Sequence, residues 1–185
     1  ENRRQDLPAV ERFTPGERKG TLEALPLPAK APPRLEWRSL AARSASDVYV
    51  AGVLADPPEH FGPTVSYLAR FDGAAWRLLD VPQGLWAPEL AVAEDGALWV
   101  LSDLPDDNPA PPTSWTSQLL RRAPSGQWSQ IRLRGPSGPL GPDVILSRIF
   151  VHGSALWIAG FNRADRDRVL VWTTAPVDAP LAVPP

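Results

Sequence analysis

The chain has 185 residues, 43% of them hydrophobic, and a formal net charge of −2; that is enough apolar material for a domain with its own core and excludes a disordered chain. Acidic and basic residues are scattered through one another, which removes the positive footprint of a nucleic-acid or membrane-surface binder. The absence of cysteine closes disulfide, thiolate and Cys-based metal chemistry, and no apolar run approaches the roughly 20 residues of a membrane span. Eight Trp and 23 Pro fit short strands joined by rigid loops better than they fit helices. The first residue is Glu1 and not Met; the expectation is a removed secretory segment and a periplasmic, outer-surface or secreted location, the alternative being a fragment of a longer protein.

In chain order, residues 1–11 read as an N-terminal extension, followed by a strand over 21–27. Arg12-Phe-Thr-Pro-Gly16 matches Arg70-Phe-Asp-Gly73, and Thr21-Leu-Glu-Ala-Leu-Pro26 matches Trp76-Arg-Leu-Leu-Asp-Val-Pro82, so this region reads as a partial copy of a longer repeating unit. The first full unit, about 35–82, opens with a strand at Trp37 to Ala42. A turn at Ser46-Asp47 leads into Asp47-Val-Tyr-Val-Ala-Gly52, a third strand runs from Val65 to Phe71, and Asp72-Gly73 turns the chain into a fourth at Trp76 to Val81. The second unit, about 88–135, repeats the order: Leu90 to Ala93, the turn Asp95-Gly96, Gly96-Ala-Leu-Trp-Val-Leu101, Gln118 to Arg122, Ser125-Gly126, and Trp128 to Leu133. The third, about 145–174, runs Arg148 to Val151, Gly153-Ser154, Ser154-Ala-Leu-Trp-Ile-Ala-Gly160 and Val169 to Thr173, and lacks the fourth strand before a Pro-rich tail at 175–185.

The aromatic centres Tyr49, Trp99 and Trp157 therefore recur at offsets of 50 and 58 residues. Four antiparallel strands at a period near 50 predict an all-β, β-propeller-like fold of about three four-stranded blades, the alternative being a β-sandwich. Three blades are fewer than a closed ring needs, so the stack leaves apolar blade faces for further blades, a second copy or a partner protein to cover. The N-terminal strand is expected to complete the last blade.

Ala93-Glu-Asp-Gly-Ala-Leu-Trp-Val100 resembles the D-G-x-L-W-V/I core of the propeller repeats in bacterial two-component regulators and streptogramin-lyase-like proteins, and Phe71-Asp-Gly-Ala-Ala-Trp76 resembles a degenerate Asp-box turn. The resemblance spans about residues 12–174 and implies the fold. The lyase-like relatives carry a catalytic His, and no motif here receives it.

Candidate binding residues fall in the loops between second and third strands, which open on one face of a propeller. Asp103, Asp106, Asp107 and Asn108 gather hard oxygen ligands of the kind Ca²⁺ takes, in a spacing that matches no EF-hand; a solvated acidic loop is the plainer reading. Arg163, Arg166 and Arg168 alternate with Asp165 and Asp167, a pattern suited to clamping an anion or, more simply, to internal ion pairing. His60 lies beside Glu59 in the first loop without a nucleophile or metal-ligand spacing, and His152 reads as a turn residue. Trp86 and Trp115 fall outside the repeat and are the candidate exposed contacts. The functional expectation is a non-catalytic, extracytoplasmic binding module for a protein or glycan, or a structural subunit. The alternative is a lyase or glycosidase that uses two of Asp56, Glu59, Asp103, Asp106, Asp107, Asp165 and Asp167.

Overall fold

Turns set the register. Gly73, Gly96 and Gly126 hold φ of 92°, 83° and 96°, a region open to glycine at no steric cost, and each reverses one strand onto the next. At the first of these turns, Asp72 Oδ1 accepts hydrogen bonds from the backbone N–H of Ala75 at 2.9 Å and Ala74 at 3.0 Å, while Oδ2 accepts from Arg77 Nε at 2.7 Å. The Ala75 N–H above all, helped by Arg77 and Ala74, holds this carboxyl well below the usual carboxylate range.

The computed structural model describes residues 9–12, 21–27, 34–55, 65–82, 85–105, 115–135, 138–141 and 143–174. Among them no helix occurs. The strands run β1 (Ala9–Arg12), β2 (Thr21–Ala24), β3 (Arg34–Ser44), β4 (Asp47–Ala55), β5 (Val65–Phe71), β6 (Trp76–Leu78), β7 (Trp86–Val92), β8 (Leu98–Pro105), β9 (Trp115–Arg122), β10 (Trp128–Ile131), β11 (Arg134–Gly135), β12 (Gly138–Pro139), β13 (Val144–His152), β14 (Ala155–Asn162) and β15 (Asp165–Thr173).

Three antiparallel meanders result: β3-β4-β5-β6, β7-β8-β9-β10 and β13-β14-β15. Each following sheet packs through its first strand: β7 lies on β3 and β4, and β13 lies on β7, β8 and β9. The stack is propeller-like, with apolar residues on both faces of the middle sheet. Toward the first sheet, Leu90, Leu98, Val100 and Leu120 pack with Tyr49, Ala51 and Leu68. Toward the third, Ala91, Leu101 and Leu119 pack with Leu146, Ile149, Leu156 and Ile158. Alternation along strands produces this two-sided burial, and each fully buried Leu or Ile contributes about 1.5–3 kcal/mol.

Side-chain bonds stitch both junctions. Ser39 Oγ accepts from the Leu90 N–H at 3.0 Å, Ser117 Oγ accepts from the Leu146 N–H at 3.0 Å, and Trp128 Nε1 donates to the Asp80 carbonyl at 3.1 Å.

The repeat holds at the level of register. Tyr49 stands opposite Ala41 and Arg70, Trp99 opposite Ala91 and Arg121, and Trp157 opposite Phe150 and Thr173. In the first two sheets the same guanidinium covers the aromatic ring, Arg70 over Tyr49 at 5.5 Å and Arg121 over Trp99 at 5.7 Å. Each of these arginines also reaches a carboxylate near its hairpin, Asp47 at 2.7 Å and Asp95 at 3.3 Å.

Three expectations are corrected. The N-terminal strand does not extend the third sheet: β2 pairs with β1, Arg12 opposite Thr21, and the segment after it lies on the outward face of the first sheet. There Leu25 and Leu27 pack with Val50, Tyr67, Ala69 and Trp76. Tyr67 Oη donates to the Pro26 carbonyl at 3.0 Å and Trp76 Nε1 to Glu23 Oε2 at 2.9 Å; burial pushes the Tyr67 hydroxyl up to about 12. Arg163, Arg166 and Arg168 do not share a loop, because β14 continues to Asn162, Asn162 Oδ1 accepts from the Ala164 N–H at 2.8 Å to close a turn of Arg163 and Ala164, and β15 begins at Asp165. Trp86 and Trp115 do not lie outside the repeat; they open β7 and β9, opposite Asp103 and Pro105.

Candidate functional site

Two regions have the character of sites. The first is polar and lies between the second and third sheets. Asp103, near the end of β8, is partly buried, and its Oδ1 accepts from Ser117 Oγ at 2.9 Å. Because Ser117 Oγ also accepts from the Leu146 N–H, a short chain of hydrogen bonds joins β13 to the Asp103 carboxylate. Burial pushes the Asp103 carboxyl up, while the bond from Ser117 and the charge of Arg163 pull it partly back. Asp103 and Arg163, which sequence reasoning had placed in separate candidate sets, thus lie near enough for the charge of one to act on the other.

Beside them, Glu89 Oε1 accepts from Arg148 NH1 at 2.7 Å across the junction. A cavity of about 230 Å³ opens here, lined by Glu89, Ser102, Asp103, Ser147 and Arg148 over an apolar floor of Leu101, Ile145 and Leu146. Glu89 and Arg148 had no signal in the sequence, since Glu89 falls just before the strand read from Leu90 and Arg148 is a single charge at the start of one that reads as apolar. The polar groups with described contacts are engaged with one another, an arrangement that locks two sheets in register.

Asp106, Asp107, Asn108 and His60 lie outside the described residues, as do Asp56 and Glu59, so the Ca²⁺ set has Asp103 alone on the described chain. Among the described residues no group of three or more His, Asp or Glu side chains is gathered to hold a metal. Arg166 and Arg168 belong to β15, where Arg168 is exposed while Arg163 sits in the turn. The backbone therefore spreads these arginines from the turn into β15. Asp165 begins that strand and is exposed, and His152 is exposed at the end of β13. For Trp86 and Trp115 the strand position alone is described.

The second region is apolar and faces away from the stack. Alternation along β14 sends Leu156 and Ile158 into the middle sheet and Trp157, Ala159 and Phe161 to the other side. Opposite these stand Phe150 on β13 and Thr173, Val171 and Val169 on β15. Phe150 and Trp157 stack with centroids 6.1 Å apart and planes at 2°, and Phe150, Val169 and Val171 are 50%, 69% and 59% exposed. No described residue packs over this face. Sequence reasoning anticipated an uncovered blade face without naming its residues. The signal was present in the repeat, since Trp157 occupies the place of Tyr49 and Trp99.

Fold and surface together define a class: an all-β chain of successive antiparallel meanders whose third sheet turns an apolar face outward. No protein-family model matches the sequence, and no curated protein matches it. A solved structure with a similar arrangement is a mannose phosphorylase from Leishmania mexicana in complex with phosphate ion, with a TM-score of 0.44 and 10% identity over 75% of this chain and 42% of that one. The present chain thus spans less than half of that enzyme's length. Likeness at this level assigns neither family nor activity.

Proposed function

We propose that the chain is a non-catalytic, propeller-type binding module of an extracytoplasmic bacterial protein, similar in kind to the repeats its D-G-x-L-W-V segment resembles, and that it engages a protein partner. The observation that carries this reading is the outward face of the third sheet, where Phe150, Trp157, Val169 and Val171 form an apolar surface at positions whose counterparts in the preceding sheets are buried or partly buried. A broad face with aliphatic side chains and few polar ones suits another protein's apolar surface better than a glycan's hydroxyls. The polar cavity around Asp103 and Glu89, with its groups paired to Ser117 and Arg148, fits a structural role in the junction.

The test is binding of an environment-sensitive apolar dye to dilute, folded protein. The wild-type chain is expected to enhance dye fluorescence, and Val169→Asp combined with Val171→Asp to abolish most of the enhancement while leaving the circular dichroism spectrum unchanged. Absence of enhancement, or enhancement indifferent to the double substitution, contradicts the reading.

A further inference from the structure

Both internal junctions obey one rule. The face of a sheet that carries the aromatic centre, Tyr49 or Trp99, receives the first strand of the next sheet, β7 or β13. The complementary face of that next sheet carries aliphatic residues on its first and second strands: Leu90, Leu98 and Val100 in one case, Leu146, Ile149, Leu156 and Ile158 in the other. The third sheet carries the same kind of receiving face, with nothing on it among the described residues.

The chain also holds a donating face that is only half covered. On the first sheet, Leu25 and Leu27 cover Val50, Tyr67 and Ala69. The first strand, β3, keeps two large apolar side chains on the same side: Leu40, opposite Val50 and 60% exposed, and Trp37, opposite Gly52 and 43% exposed. Trp37 meets the Tyr67 ring edge-on at 6.1 Å, which places it on that face. The strand that donates in each internal junction is thus the one whose apolar side chains stay partly exposed beside the described N-terminal segment.

We infer that the open face of the third sheet receives β3 from the first sheet of a second copy of this chain, Leu40 and Trp37 packing against Phe150, Trp157 and Val171. This rests on the binding role proposed for that face and adds the identity of its occupant. The contact is head-to-tail, since it uses two different surfaces of one molecule. Such a contact closes when the rotation across it returns the chain to its start and otherwise propagates into a filament. Two copies in a closed arrangement stack six sheets, within the four to eight of closed propellers, with the contact made twice. A face-to-face dimer of two third sheets leaves Leu40 and Trp37 bare and follows neither internal junction.

Sedimentation velocity of the chain over roughly 1–100 µM, the micromolar range in which a contact of modest affinity is read, tests the inference with Leu40→Asp and Val171→Asp. The wild type is expected to sediment as a dimer at the upper concentrations, and each substitution to weaken dimerisation by at least about 100-fold, near 2.7 kcal/mol. An equimolar mixture of the two variants is expected to recover more dimer than either alone, because one of its two junctions is unaltered. Unchanged far-ultraviolet circular dichroism and urea midpoint check folding, and Leu40→Thr replaces Leu40→Asp if the aspartate destabilises β3. A dimer that Val171→Asp dissociates and both Leu40 substitutions leave intact overturns the head-to-tail inference. A wild-type monomer at every concentration also overturns it: if that monomer still binds the apolar dye, the face is open to a different protein, and if it does not, the binding role of the face fails as well.

Discussion

Leu68, Leu119 and Val171 occupy one position in three sheets, on the third strand opposite Ala51, Leu101 and Ala159 respectively. Their exposures are 2%, 1% and 59%. The side chains are alike, and the sheets that carry them are built alike. What differs is that the first two lie under a following sheet. Burial in this molecule is therefore a property of the stack, and an apolar residue on the third sheet belongs to a surface of the kind the stack covers, with no described residue over it.

The sharpest way to break that comparison is to charge equivalent positions. Leu119→Asp places a carboxylate in the junction with no partner, and unfolding in urea is expected to show a loss of at least about 4 kcal/mol or no folded state. Val171→Asp, measured on dilute protein, is expected to stay within about 1 kcal/mol of wild type. Equal losses at the two positions contradict the account.

Gly160 sharpens the comparison between sheets. Its counterpart in the second sheet is Ser102, but in the third sheet a Cβ at this place runs into the Ile145 carbonyl and lies 3.2 Å from Leu146 Cα. Gly160→Ala is expected to cost about 1–3 kcal/mol. Hydrogen exchange should locate the damage in β13 and β14 and spare the first sheet.

The two carboxylates of the aromatic stacks provide a smaller contrast. Asp47 is buried and accepts from Arg43 Nε at 2.8 Å and Arg70 Nε at 2.7 Å, whereas Asp95 is exposed. Asp47→Ala strands two guanidinium groups that keep access to water, so a loss of about 1–3 kcal/mol is expected. Asp95→Ala should change the urea midpoint by less than about 0.5 kcal/mol equivalent.

The smallest effect concerns pH. Asp103 has its folded pKa raised by burial, so folding favours its protonated form, and wild-type stability gains as pH falls from that raised value toward the ordinary carboxylate value near 4. Asp103→Asn is expected to match or exceed wild-type stability at pH 7 and to lose that advantage as the pH approaches about 4. Asp72 has the opposite sign. Its lowered folded pKa contributes stability that is present above the ordinary carboxylate value and is lost as pH falls through the depressed one.

Much of the architecture was legible because the repeat places turn residues and buried aliphatics at the same offsets. β5 runs from Val65 to Phe71 as the alternation predicts, and the fourth strands start at Trp76 and Trp128 as the turns predict. The first strands were read too short. β3, β7 and β13 extend past their apolar centres to Arg34, Trp86 and Val144, and shifts between Trp37 and Ser39, Trp86 and Glu89, and Leu146 and Arg148 interrupt the alternation there. A bulge shifts which residues face the core, so a two-residue period stops carrying a signal where the backbone still pairs. The fourth strands were read too long, since β6 ends at Leu78 and β10 at Ile131. The segments beyond them pack against the junctions, Leu79 and Val81 in one and Leu133 in the other.

The candidate sites were less legible. The pairing of Asp103 with Ser117 and the ion pair of Glu89 with Arg148 depend on how two sheets meet, and single-strand periodicity holds no information about that. The open face was visible in outline, since the third unit lacks a following unit. Its residues became identifiable once β14 was placed with Leu156 and Ile158 toward the core.

The absence of native cysteine allows the central claim to be tested by thiol labelling of Leu68→Cys, Leu119→Cys and Val171→Cys in dilute native protein. The account predicts that the Val171 thiol reacts nearly as fast as an unstructured peptide, with the other two slower by at least about 1,000-fold because labelling must wait for the stack to open. Similar rates at all three positions would contradict it.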